Sequence, residues 1–115
     1  MIVNQRLTAL IASMFLLSMV HLIAKDAPAP VFEIRFENHC FTPRSLVVPA
    51  GRQVRIKVVN ASPERIEFES FKLNREKVIE AGKEVTVDLP PLKAGNYDFY
   101  DDFHADVPEG EIVAR

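Results

Sequence analysis

The 115-residue sequence has no tryptophan, a single cysteine (Cys40) and only four glycines. One cysteine cannot close an internal disulfide, so packing must hold the fold, and without a Cys-x-x-Cys pair a thioredoxin-like redox motif is excluded. A glycine-rich phosphate loop and a nucleophile elbow are both missing, which removes nucleotide-binding and serine-hydrolase chemistry. A dominant charge of one sign is also lacking. Fourteen basic residues against sixteen acidic ones leave a formal net charge of −2, which gives no field for nucleic acid, and none is expected as a partner. The three methionines all fall within the first 19 residues, so no soft thioether ligand remains in the rest of the chain.

What is present begins with an N-terminal apolar run. Arg6 and the amino terminus precede an uncharged stretch from Leu7 to Ala24, the layout of an export segment. It is longer than the ~7–15 residues of a signal-peptide core and approaches the ~20 that span a bilayer. Residues 1–24 are therefore read as a signal peptide or an N-terminal membrane anchor. Leu22-Ile23-Ala24 is a poor small-x-small cleavage site. Either outcome places the following domain in the periplasm, in the second case tethered to the inner membrane. Residues 25–30, with two prolines and two alanines, form a linker before a single domain over 31–115.

That domain has a period of two. Val31, Phe32, Ile34 and Phe36 begin a strand that Thr42-Pro43 ends, and Leu46 to Pro49 follows before the Ala50-Gly51 turn. Val54, Ile56 and Val58 alternate with Gln53, Arg55 and Lys57; Ile66 and Phe68, Val85 and Val87, then Tyr97 and Phe99, and finally Ile112 and Val113 mark further strands. Phe71 to Ile79, dense in Lys72, Arg75, Glu76 and Lys77, reads mostly as loop. Seven or eight short strands separated by turn signals predict an all-β, Greek-key sandwich.

The chemistry concentrates in Gly95-Asn96-Tyr97-Asp98-Phe99-Tyr100-Asp101-Asp102-Phe103-His104. With Val48-Pro49-Ala50-Gly51 and the strand ending at Asn60, this segment resembles the cupredoxins. In blue-copper members a cysteine stands at the position of Asp101, a histidine at that of His104, and a weak methionine ligand near Glu109. A nearer resemblance is to the exported cupredoxin-like components of bacterial iron-uptake systems. It rests on Phe41-Thr42-Pro43, Glu67-Phe68-Glu69-Ser70, Glu76-Lys77-Val78-Ile79 and Asp102-Phe103-His104, over nearly all of residues 31–115. The resemblance implies a cupredoxin-like fold and a role in ferrous-iron uptake. It also implies two partners, a membrane iron permease and an electron-accepting membrane protein.

Independently of family, carboxylate oxygens with an imidazole suit iron, manganese or tetragonal copper(II), whereas copper(I) and blue-copper sites need soft sulfur. The candidate metal ligands are Glu67, Glu69, Asp101, Asp102, His104 and His39, with copper and/or iron as the ion. Alternation puts Glu67 and Glu69 on one face, where they could project together toward His104, and Asp101 on the face of Tyr97 and Phe99. The family motif favours Asp102, so both aspartates stay open. The segment before Ile66 also offers Glu64. A periplasmic metal carrier without redox activity, and a metal-free interaction sandwich, are the alternatives to a ferroxidase-like role.

Overall fold

The computed structural model describes residues 27–115, so the proposed export segment and the start of the linker lie outside the described residues. Nine strands make up the regular structure there: β1 (Val31–Glu37), β2 (Cys40–Thr42), β3 (Ser45–Val48), β4 (Val54–Asn60), β5 (Ile66–Ser70), β6 (Arg75–Ile79), β7 (Glu84–Leu89), β8 (Gly95–Asp101) and β9 (Gly110–Ala114). No helix among the described residues is long and apolar enough to cross a membrane.

The strands form two sheets, ordered β2-β1-β4-β7 and β3-β9-β8-β5-β6. β1 runs parallel to β4 and β3 parallel to β9, while the other neighbours are antiparallel. These crossovers are those of a Greek-key sandwich. Apolar residues at alternate positions of both sheets meet in one core that includes Ile34, Phe36, Ile56 and Val87 from the first sheet and Ile66, Phe68, Phe99 and Ile112 from the second. Its centre is aromatic: Phe41 lies 5.2 Å from Phe99 and 5.1 Å from Phe36, and Phe68 lies 5.1 Å from Phe99, centroid to centroid. Tilted and edge-on ring pairs of this kind add roughly 0.5–1.5 kcal/mol each beyond their burial.

The segment read as loop is corrected in part. Arg75–Ile79 is a strand, β6, that pairs with β5 from Ile66↔Ile79 to Ser70↔Arg75. Its charged residues suit it to a sheet edge, where one side faces water and unpaired backbone groups must be protected from other chains. Only Phe71 to Asn74 turns, with Asn74 in the left-handed region at φ 53°.

Candidate metal centre

Three loops at one end of the sandwich converge on a pair of histidines. The first is the β1–β2 connection. Glu37 pairs with Cys40, so Asn38 and His39 alone make the turn, with φ of 53° and 61°. Positive φ at both central residues is the type I′ geometry that matches strand twist, and histidine is among the few non-glycine residues that enter this region. His39 is thereby held at the tip of a tight hairpin.

The second loop follows β4. Asn60 is fully buried, and its amide nitrogen donates to the carbonyls of Glu64 (2.7 Å), Ile79 (3.0 Å) and Glu80 (3.2 Å). Its Oδ1 accepts from the backbone nitrogen and hydroxyl of Ser62 at 3.1 and 2.7 Å. One side chain thus supplies the partners that a buried, turning backbone needs, and it fixes the loop that presents Glu64.

The third is the turn leaving β8. Asp101 shares the inward face with Tyr97 and Phe99 and is 2% exposed. Its Oδ1 accepts from the backbone nitrogens of Glu67 (3.0 Å) and Phe103 (3.1 Å), and its Oδ2 faces His104 Nδ1 at 2.6 Å. The hydrogen bond to Asp101, opposed by burial and helped by the charges of Asp101, Glu64 and Asp106, raises the His104 pKa above its ordinary value.

The result is symmetrical in its chemistry. An ionised carboxylate only accepts, so Asp101 fixes the proton of His104 on Nδ1 and leaves Nε2 free. Asp106 does the same for His39, accepting from Nε2 at 2.9 Å, and its own pKa is lowered chiefly by that bond. The two free nitrogens both look at Glu64: Oε2 lies 3.5 Å from His104 Nε2 and 3.8 Å from His39 Nδ1. The rings sit edge to face at 5.8 Å. Donors bound to one ion at ~2.0–2.2 Å stand about 3.0–3.6 Å apart, so these gaps are near ligand spacing and long for hydrogen bonds. A cleft of about 230 Å³ opens beside His104, between Tyr100, Asp102 and Glu109.

The six residues singled out in the sequence do not converge on one point. His39, Asp101 and His104 belong to this centre, joined by Glu64 and by Asp106. Asp106 carried no signal in the sequence, since its partner His39 is remote along the chain. Glu67 and Glu69 share a face with each other, but that face looks away from Ile66 and Phe68, and neither glutamate is among the groups acting on His104. Their neighbours are Glu76, Tyr100 and Asp102. The expectation that the two glutamates project toward His104 is therefore corrected: outward residues of β5 point to the opposite surface from Asp101, which pairs with the inward Phe68.

On that outer face the ligand atoms of Glu67, Glu69 and Glu76 lie within 4.8 Å of one another. Glu67 is 5% exposed, and its Oε1 is buried with no hydrogen-bond partner. A hydrogen bond with Glu76, burial, and the charges of Glu76, Asp102 and Glu69 push its pKa up to about 7. Burial and the adjacent carboxylates also raise Tyr100.

The chain matches the cupredoxin-like domain family over residues 7–114. It belongs to that family. An uncharacterized protein of Rickettsia prowazekii (strain Madrid E) is 32% identical over 118 residues, covering 97% of this chain and 94% of that one. The fold is similar to auracyanin A, a blue copper protein of Chloroflexus aurantiacus, with a TM-score of 0.63 at 18% identity over 76% of this chain and all of that one. Amicyanin of Paracoccus versutus gives 0.59 at 18% identity, covering 80% of this chain and 88% of its own. The metal-binding domain of the Streptococcus pneumoniae D39 Cu(I)-exporting P-type ATPase gives 0.64 at 16% identity, covering 77% and 89%. At these identities the likeness carries the fold alone.

The donor set here does not fit the thiolate copper site of blue members of the cupredoxin-like family. Asp101, which the sequence resemblance sets at the place of the thiolate, has its oxygens occupied by two amides and an imidazole. Cys40, the only cysteine, directs its thiol at the Glu37 carbonyl, 3.4 Å away. Two imidazoles and a carboxylate fit iron(II) or tetragonal copper(II) instead.

Proposed function

We propose that this cupredoxin-like protein is an exported, periplasmic metal-binding protein serving ferrous-iron uptake. It takes Fe²⁺ and/or Cu²⁺ between His39 Nδ1, His104 Nε2 and Glu64, and it assists the oxidation of Fe²⁺. The observation that carries this reading is the pair of histidines. Each has one nitrogen bonded to a carboxylate and the other turned to Glu64. Surface histidines without a common purpose have no reason to be oriented this way twice, whereas histidines that hold metal regularly donate their second N–H to a carboxylate.

The residues divide the work by position. Asp101 and Asp106 fix the tautomers, and Asn60 and the type I′ turn fix the approach of Glu64 and His39. Glu64 adds an anionic oxygen, and carboxylates next to the centre favour the more highly charged oxidation state of iron. Loss of one electron from Fe²⁺ requires an acceptor, here copper(II) held at the protein or an electron-accepting membrane protein, with an iron permease receiving the product. Copper, when bound, supplies a one-electron couple.

Anaerobic titration of the protein with Fe²⁺ and separately with Cu²⁺, followed calorimetrically, tests the site. Wild type is expected to bind and the His39→Ala, His104→Ala double variant to lose binding. Absence of binding by wild type, or unchanged binding by the variant, rejects the proposal and leaves a metal-free interaction sandwich. The histidine centre gathers donors for one ion, His39, His104 and Glu64, which favours a carrier without redox activity as the second reading. Fe²⁺ oxidation in the presence of Cu²⁺ separates the two, because a carrier binds iron without accelerating its oxidation.

A further inference from the structure

We infer that the outer face of β5 and β6 carries a second cation site, distinct from the histidine centre, in which Glu67, Glu69 and Glu76 bind a hard divalent ion such as Mn²⁺. Strand register brings the three carboxylates together. Glu69 faces Glu76 directly across the β5–β6 ladder, and Glu67 lies on the same face two residues along, diagonal to Glu76. Like charges directly opposite each other destabilise a sheet, so this arrangement needs a compensating partner. None of the ion pairs among the described residues includes Glu67, Glu69 or Glu76. Lys72 is paired with Asp98, Arg65 with Glu80, and Arg75 with the carbonyls of Leu73, Asn74 and Asp88, while Lys77, next to Glu76 in sequence, stands opposite the inward Phe68 on the other face of β6.

The second observation is independent of the clustering of charge. Glu67 is more than nine-tenths buried, and its Oε1 reaches no donor at all. A buried, unpaired acceptor costs on the order of 1–3 kcal/mol, more when charged. A proton shared between Glu67 and Glu76 removes one charge but leaves Glu69, directly opposite Glu76, with no counter-charge. A cation with several coordination positions satisfies both glutamates and admits Glu69. Tyr100, the cross-strand neighbour of Glu69, and the Asp102 carboxylate border the same space. Donors that are all oxygen, with no imidazole or thiolate, select hard ions of the Mn²⁺, Mg²⁺ or Ca²⁺ class.

Mn²⁺ is the probe, titrated into the 115-residue chain and followed by the decay of the free-ion EPR signal and by thermal melting. Wild type and the His39→Ala, His104→Ala variant are expected to bind alike and to melt higher with Mn²⁺. The Glu67→Gln, Glu76→Gln variant keeps side-chain size and removes the repulsion, so it is expected to fold. Its Mn²⁺ affinity should fall by at least the ~10–100-fold seen when partners of metal ligands are removed. The single Glu69→Gln variant, exposed enough to leave the core untouched, should show the same direction of loss. Failure of wild type to bind at millimolar Mn²⁺, or equal binding by the glutamine variants, overturns the inference. So does loss of Mn²⁺ binding in the histidine variant, which places the ion at the first centre.

Discussion

Asp101 joins the core to the histidine pair through one carboxylate. Its Oδ1 takes two backbone amides and its Oδ2 the His104 imidazole. In Asp101→Asn the amide oxygen can keep both backbone bonds, while the nitrogen turned to His104 becomes a donor. The imidazole then has to accept at Nδ1 and carry its proton on Nε2, the nitrogen that faces Glu64. The variant is expected to stay folded by circular dichroism but to bind Cu²⁺ ~10–100-fold more weakly. Unchanged Cu²⁺ affinity would show that the tautomer does not matter. Titration follows the same logic. The Asp101 bond lifts the folded pKa of His104 above its unfolded value. That bond therefore stabilises the fold most below the unfolded pKa, and the contribution is lost as pH rises through the folded one. Metal competes for Nε2, so Cu²⁺ affinity should fall as pH drops through the raised value. Glu67 has the same sign for a different cause: its pKa is pushed up to about 7 by Glu76, burial, Asp102 and Glu69. Without metal, wild type should lose melting temperature between pH 5 and 8 relative to Glu67→Gln, and an unchanging difference across that range would contradict the repulsion. Alternation alone made the side of Asp101 legible in the sequence. The sequence could not show that its carboxylate would be filled by amides from another strand.

At the scale of elements, the connections decide the site. The sequence offers His39 as a candidate ligand but not the turn that holds it, because a type I′ turn is visible only once Glu37 is seen to pair with Cys40. His39→Asn tests the turn against the ligand. Asparagine enters the left-handed region readily, so the melting temperature should hold while Cu²⁺ affinity falls. A matching fall in both would assign His39 to the turn alone. β6 does not show in the sequence because its charges mimic an exposed loop, and only its ladder with β5 makes it a strand. β9 enters the sheet at Gly110, where an added Cβ would stand 2.3 Å from Phe99 Cζ and 2.8 Å from the Arg44 carbonyl oxygen. Gly110→Ala must displace a fully buried ring, at about 1–3 kcal/mol for an overpacked core. Denaturant unfolding measures this, and a neutral result would mean that β9 can shift without cost.

For the whole molecule, the sandwich was legible because burial imposes a period of two that any strand must show, and the spacing of the ligand loop survives in the sequence. The centre was not legible as a set, because Glu64, His39 and Asp106 meet only through three loops from remote parts of the chain. The fold holds a thiolate copper site in blue members of the family, and here the same framework presents imidazoles and carboxylates. This difference should be visible in light absorption. Copper(II) without a thiolate has only weak ligand-field bands, so the protein loaded with Cu²⁺ is expected to lack an intense blue colour. It should give the EPR spectrum of a tetragonal site coupled to two imidazole nitrogens. His39→Ala should reduce that coupling to one nitrogen, and His104→Ala likewise. An intense blue band would require a thiolate, and Cys40 is the only cysteine in the sequence. Its disappearance in Cys40→Ser would then move the centre away from Glu64 and overturn the assignment made from the paired histidines.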